Sequence, residues 1–130
     1  MLANNSSFLR NALLSDSAVT GVSGLAFVLF SKAIGGFVGL STSWIILALG
    51  LGFIIYGVEL FLAARSGPVN TRIARFAVYA NLVWVLASAV LIFANLVPLT
   101  TAGKWAMAII ADVVLVFAIL QYVGLRRLAR

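Results

Sequence analysis

The sequence predicts an all-α, polytopic membrane protein: a four-helix transmembrane bundle, running up and down, in a single domain over residues 1–130. Three observations carry this. Of the 130 residues, 64% are hydrophobic and 9% charged, against about 25% charged in soluble domains, so the chain has too little polar surface to face water. Four apolar runs are each near the ~20 residues that cross a ~30 Å hydrocarbon core. The basic residues are divided unequally between the two ends of those runs.

Taken in order, residues 1–16 are mixed polar and predict a short tail, or an interfacial helix with Phe8, Leu9, Leu13 and Leu14 on the membrane. A signal peptide is disfavoured, because the next apolar stretch is too long and has no A-x-A site. Ser15 and Asp16 suit an N-cap, so the first span is placed at about 17–38. It contains Lys32 and the small-xxx-small match Gly35-x-x-x-Gly39. The second span is about 44–64 and contains one carboxylate, Glu59. Gly67-Pro68 signals the following turn. The third span is about 76–97, closed by Pro98, and the fourth about 104–125.

With four spans, Arg10, Arg65, Arg72, Arg75, Arg126, Arg127 and Arg130 share one side, and Lys32 and Lys104 belong to the other half. Seven against two predicts a cell-membrane protein with both termini cytoplasmic, and puts Trp44 and Trp105 at the outer interface. Trp44 to Arg65 and Trp105 to Arg126 have the same spacing. That fits two tandem hairpins related by duplication; it fits convergence on the same turn chemistry as well.

Charges and amides inside the spans are the candidate functional residues, because an ionised group at a helix centre costs about 2.5–3.5 kcal/mol. Glu59 and Asn81 each fall roughly 9 Å from an inner helix end. With Tyr56 and Trp84 nearby, they predict a ligand or ion site; the alternatives for Glu59 are a salt bridge to the loop arginines or a packing clasp. Lys32 and Asp112 fall roughly 21–22 Å from the inner ends and predict an intramembrane ion pair. They could instead line an outward cavity, or Lys32 could snorkel outward.

Helical spacing predicts that the inward faces carry Gly21, Val28, Lys32, Gly35 and Gly39 in the first span. In the second they carry Ala48, Gly52, Tyr56, Glu59 and Ala63, and in the third Ala77, Asn81, Trp84, Ser88 and Asn95. In the fourth they carry Trp105, Ala108, Asp112, Leu115, Ile119 and Tyr122.

With no His and no Cys, the chain lacks the usual zinc ligands and the Ser-His and Cys-His nucleophiles. No metal, no cofactor, no catalytic residue and no nucleic-acid partner is expected, and the reading is non-enzymatic. The composition fits a structural or accessory subunit, or an organiser of a membrane complex, with the lipid bilayer and other copies or other chains as partners. The alternative is an oligomeric binder or carrier of a small cation, proton or lipophilic molecule through Glu59 and Asp112.

Overall fold

The computed structural model describes residues 2–40, 43–65, 69–94 and 98–129. The expected turn at Gly67-Pro68, together with Asn95 and Arg130, lies outside the described residues. Five helices follow in order: α1 (Leu2–Leu29), α2 (Ser31–Val38), α3 (Ser43–Arg65), α4 (Thr71–Phe93) and α5 (Thr101–Ala129). Four of them are long and apolar enough to cross a membrane, over Ser7–Leu29, Ser43–Arg65, Thr71–Phe93 and Thr101–Leu128. The fold is an all-helical, four-helix bundle.

The first span departs from its expected bounds of 17–38. Residues 2–16 are not a tail but the first half of α1. Leu9, Ala12, Leu13 and Asp16 recur at steps of three and four, and all are buried. Tertiary contact with that stripe overrides the capping preference of Ser15 and Asp16, so the helix runs through them. At Phe30 the backbone leaves helical geometry (φ −121°, ψ 32°), yet Phe30 N still donates to Ala26 O at 2.8 Å and Ile34 N to Phe30 O at 2.9 Å. α1 and α2 are thus one hydrogen-bonded path with a bend.

α2 stops at Gly39, whose φ of 101° lies in the left-handed region. A Cβ there would also stand 2.5 Å from Pro98 O, so glycine is required twice over. Gly35, its partner in the small-xxx-small match, lies under Leu40 O and accepts from Gly39 N and Leu40 N. The pair therefore makes a helix cap, and Gly35 also faces the start of α3, where an added Cβ would lie 3.8 Å from Ile46 Cγ1. The turns at the end opposite the α3–α4 loop are stitched together: Thr100 N donates to Val38 O at 2.9 Å, and Thr100 Oγ1 donates to Phe37 O while accepting from Gly103 N. At the other end Asn70 caps α4, its Oδ1 accepting from Arg72 N (3.1 Å) and Ile73 N (3.2 Å).

Helix packing follows the small residues. α1 lies against α3 with Gly24 facing Gly50 and Gly21 facing Gly57, while Ser17 Oγ donates to Gly57 O at 2.8 Å. α1 also meets α5, where Leu9 covers Gly124. α4 packs along α5. Aromatic side chains help bridge α3 and α4: Phe53 meets Trp84 edge-on at 5.1 Å, and Tyr56 lies 6.3 Å from Phe76. The buried apolar core (Leu9, Leu13, Leu60, Ala64, Val69, Ala74 and Ala77) gathers at the end that holds the α3–α4 loop.

Two of the expected inward faces are rotated. On α3, Ala63 is buried and Tyr56 half-buried as expected, but Ala48, Gly52 and Glu59 are exposed, and Ile46, Gly50, Gly57, Leu60 and Ala64 are buried in their place. On α5, Trp105, Asp112, Leu115, Ile119 and Tyr122 are exposed, and Ala118, Gln121 and Gly124 are buried. On α2, Lys32 is exposed. The α4 face holds, with Ala77, Asn81 and Ser88 buried and Trp84 half-buried.

Candidate functional site

The polar centre of the bundle is built from one side chain of each spanning helix. Asp16 is on α1, Tyr56 on α3, Asn81 on α4 and Gln121 on α5. Asp16, Asn81 and Gln121 are buried at 2%, 6% and 0% exposure. The site sits well inside the spans. Counting from the nearer end, Asp16 is nine residues past Ser7, Asn81 ten past Thr71 and Gln121 seven before Leu128, or roughly 10–15 Å deep.

Both oxygens of the Asp16 carboxylate accept hydrogen bonds. Gln121 Nε2 donates to Asp16 Oδ2 at 2.7 Å, and Asn81 Nδ2 donates to the same oxygen at 3.1 Å. Thr20, one turn along α1, donates from Oγ1 to Asp16 Oδ1 at 2.8 Å. Asn81 Nδ2 also reaches Gln121 Oε1 at 3.0 Å, which closes a triangle of three side chains from three helices. Tyr56 extends it to the fourth: its hydroxyl lies 3.3 Å from Asn81 Oδ1 and 3.4 Å from Ala77 O. The donors hydrogen-bonded to Asp16 are all neutral. Such an arrangement fixes the rotation and register of its helices, since slipping any one by a residue would strand a buried polar group.

The candidates read from the sequence are sorted differently. Asn81 and Tyr56 do meet, but their carboxylate is Asp16 and not Glu59. Glu59 is exposed on α3 and makes no hydrogen bond or ion pair with any described residue. Trp84 packs on Phe53, and its indole nitrogen has no hydrogen-bond partner among the described residues. No ion pair joins Lys32 to Asp112; both are exposed, on α2 and α5. The expected ion pair fails because the α5 face carrying Asp112 is turned away from the bundle interior.

Asp16 and Gln121 were not among the sequence candidates. Asp16 was hidden by its capping role at an assumed helix start. Once the first span is started at Ser7, the spacing places an Asp, an Asn and a Gln at similar depth on three helices, and that coincidence is the signal. Among the described residues, no group of three or more His, Cys, Asp or Glu side chains could hold a metal ion. No protein-family model, no curated protein and no solved structure matches this chain.

Proposed function

We propose that this protein is a non-enzymatic, structural or accessory membrane subunit, which works by associating with other transmembrane helices. The observation that carries the reading is the contrast between its carboxylates. Asp16 is fully hydrogen-bonded inside the bundle. Asp112 and Glu59 are exposed on membrane-crossing helices. Asp112 is eleven residues past Thr101, roughly 17 Å into the span, too deep for its short side chain to reach water. Left in lipid it costs about 2.5–3.5 kcal/mol, a cost that a donor or cation on a neighbouring chain removes. Lys32 is exposed on α2 and can snorkel toward the outer surface on its long stem.

The test is the size of the particle extracted from native membranes with a styrene–maleic acid copolymer. A particle larger than one 13.8 kDa chain is expected, made of several copies or of this chain with another protein. Asp112→Asn should weaken the association by roughly tenfold, equivalent to ~1.4 kcal/mol. A wild-type particle holding a single chain would sink the reading.

The cell membrane as location and a cytoplasmic placement of both chain ends belong to the same proposal. Their support is that Arg10, Arg65, Arg72, Arg75, Arg126 and Arg127 gather at one end of the bundle. Because the chain has no cysteine, Ser7→Cys gives a unique thiol on an exposed position of α1. In intact cells it should resist an impermeant maleimide and react after permeabilisation. Labelling of intact cells would invert the orientation.

A second reading is favoured by Asp16 alone. A buried carboxylate that accepts from two carboxamides and one hydroxyl, with the Tyr56 hydroxyl next in line on Asn81, is a chemically suitable holder of a proton or a small monovalent cation. On this reading the site is Asp16 with Asn81, Gln121, Thr20 and Tyr56, in place of Glu59 and Asp112. Its test accompanies the stability measurements on Asp16 given below.

A further inference from the structure

From the α4–α5 surface we infer a binding site for one anionic phospholipid, with its phosphate at the arginine end and an acyl chain laid between the two helices. Two recesses share Tyr122, one on α5 alone and one between α4 and α5. One is lined by Tyr122, Val123, Arg126 and Arg127. The other is wholly apolar, lined by Val78, Leu82, Ala118, Ile119 and Tyr122. Val78 and Ala118 are buried and form its floor, while Leu82, Ile119 and Tyr122 are exposed and form its walls. A charged mouth opening into an apolar trough, running into the membrane, matches the shape of a phospholipid.

The charge is placed by helical spacing. On α4, Arg75, Val78 and Leu82 follow steps of three and four, so Arg75 stands at the mouth of the wall that Val78 and Leu82 continue. On α5, Ile119, Tyr122 and Arg126 follow the same steps. The Asn81–Gln121 hydrogen bond sets the antiparallel register of α4 and α5. Counting six residues from each of them puts Arg75 opposite Arg127, about one residue from the level of Arg126. Both walls of the trough therefore end in an exposed arginine at one height. Arg126 is held there: Nη1 donates to Tyr122 Oη at 3.1 Å, and its guanidinium lies 5.8 Å from the centre of the Tyr122 ring. That posture fixes the planar fork at the mouth, where its remaining N–H groups suit a phosphate. Basic recesses between membrane helices at the interface select anionic headgroups. This site is separate from the Asp16 centre; it shares the exposed α5 face of Asp112 but begins at Ala118, nearer the arginine end.

The test uses the full chain reconstituted in phosphatidylcholine vesicles, with trace spin-labelled phosphatidylglycerol or spin-labelled phosphatidylcholine. The readout is the motionally restricted fraction of each label. Wild type should prefer phosphatidylglycerol over phosphatidylcholine, and the double variant Arg75→Gln/Arg126→Gln should lower that preference by roughly tenfold. Arg65→Gln removes an exposed positive charge at the same end but away from this trough, and should leave the preference in place. Leu82→Trp, at an exposed wall position, should reduce phosphatidylglycerol binding with every charge intact. The inference is overturned by any of four results. Wild type shows no preference; Arg65→Gln loses as much as the double variant; Leu82→Trp binds as wild type does; or millimolar inorganic phosphate displaces the lipid, which would leave the trough no part in binding.

Discussion

Replacing Gln121 with leucine is expected to destabilise the bundle by about 2–3 kcal/mol, the range of a hydrogen bond to a charged group left unmade. Neutral polar pairs between membrane helices average only ~0.6 kcal/mol, so the charge on the acceptor decides the size. Leucine removes the shortest donor to Asp16, at 2.7 Å, and also the acceptor of Asn81 Nδ2. Nothing else of the described chain is hydrogen-bonded to Oδ2 except Asn81. The carboxylate is then left with less compensation in a site buried inside the bundle.

Asp16→Leu should cost less than Gln121→Leu, although it deletes the centre of the network. It removes the charge that has to be solvated, and Asn81 and Gln121 retain each other at 3.0 Å. Reversible unfolding in micelles, read by steric trapping, gives both values. If Asp16→Leu proves the costlier of the two, the carboxylate is a net source of stability and the network has been read with the wrong sign. The same measurement tests Asp16 as a cation holder. Stability that rises with sodium or potassium over choline, by ~1.4 kcal/mol per tenfold above the dissociation constant, and that loses this dependence in Asp16→Asn, would support it. Equal stability in all three salts would remove it.

Gly50→Ala is the second large effect, an expected loss of about 1–3 kcal/mol from overpacking. An added Cβ at Gly50 would lie 2.8 Å from Gly24 O, 2.8 Å from Phe27 Cβ and 3.0 Å from Val28 Cγ2. The first of these is backbone and cannot swing aside, so α1 and α3 must move apart along their shared face. Two residues on, Gly52 has nothing within 4 Å of its added Cβ. Gly52→Ala should therefore be neutral, or stabilising by up to ~1 kcal/mol from helix propensity. Opposite responses at two glycines of one helix give a sharp test of the helix rotation, since the hydrophobic pattern assigned Gly52 to the inside. Equal responses would mean that α3 is not seated on α1 through Gly50.

The number of spans and the approximate place of the last three were legible because a bilayer imposes length and composition on any segment that crosses it. Tyr56 and Asn81 were legible as interior groups, since an amide deep in an apolar helix has few alternatives to a partner. Helix rotation was not legible on α3 and α5. A helix apolar all round gives no amphipathic signal, and in lipid a leucine is as comfortable outside as inside. What decides rotation is which glycine can approach another backbone, and that is known only when both helices are in place: Gly50 with Gly24, Gly57 with Gly21.

The same reason explains the exchange of carboxylates. Composition determined by itself that a few charges would lie within the membrane and that each would need a partner. Only the tertiary structure decided that Asp16, outside the first span as read from the sequence, is the charge inside the bundle. It likewise turned Asp112 and Glu59 to the surface. A partner for a buried carboxylate is chosen by side chains from helices distant in sequence, here 65 and 105 residues away, and no local pattern encodes that meeting.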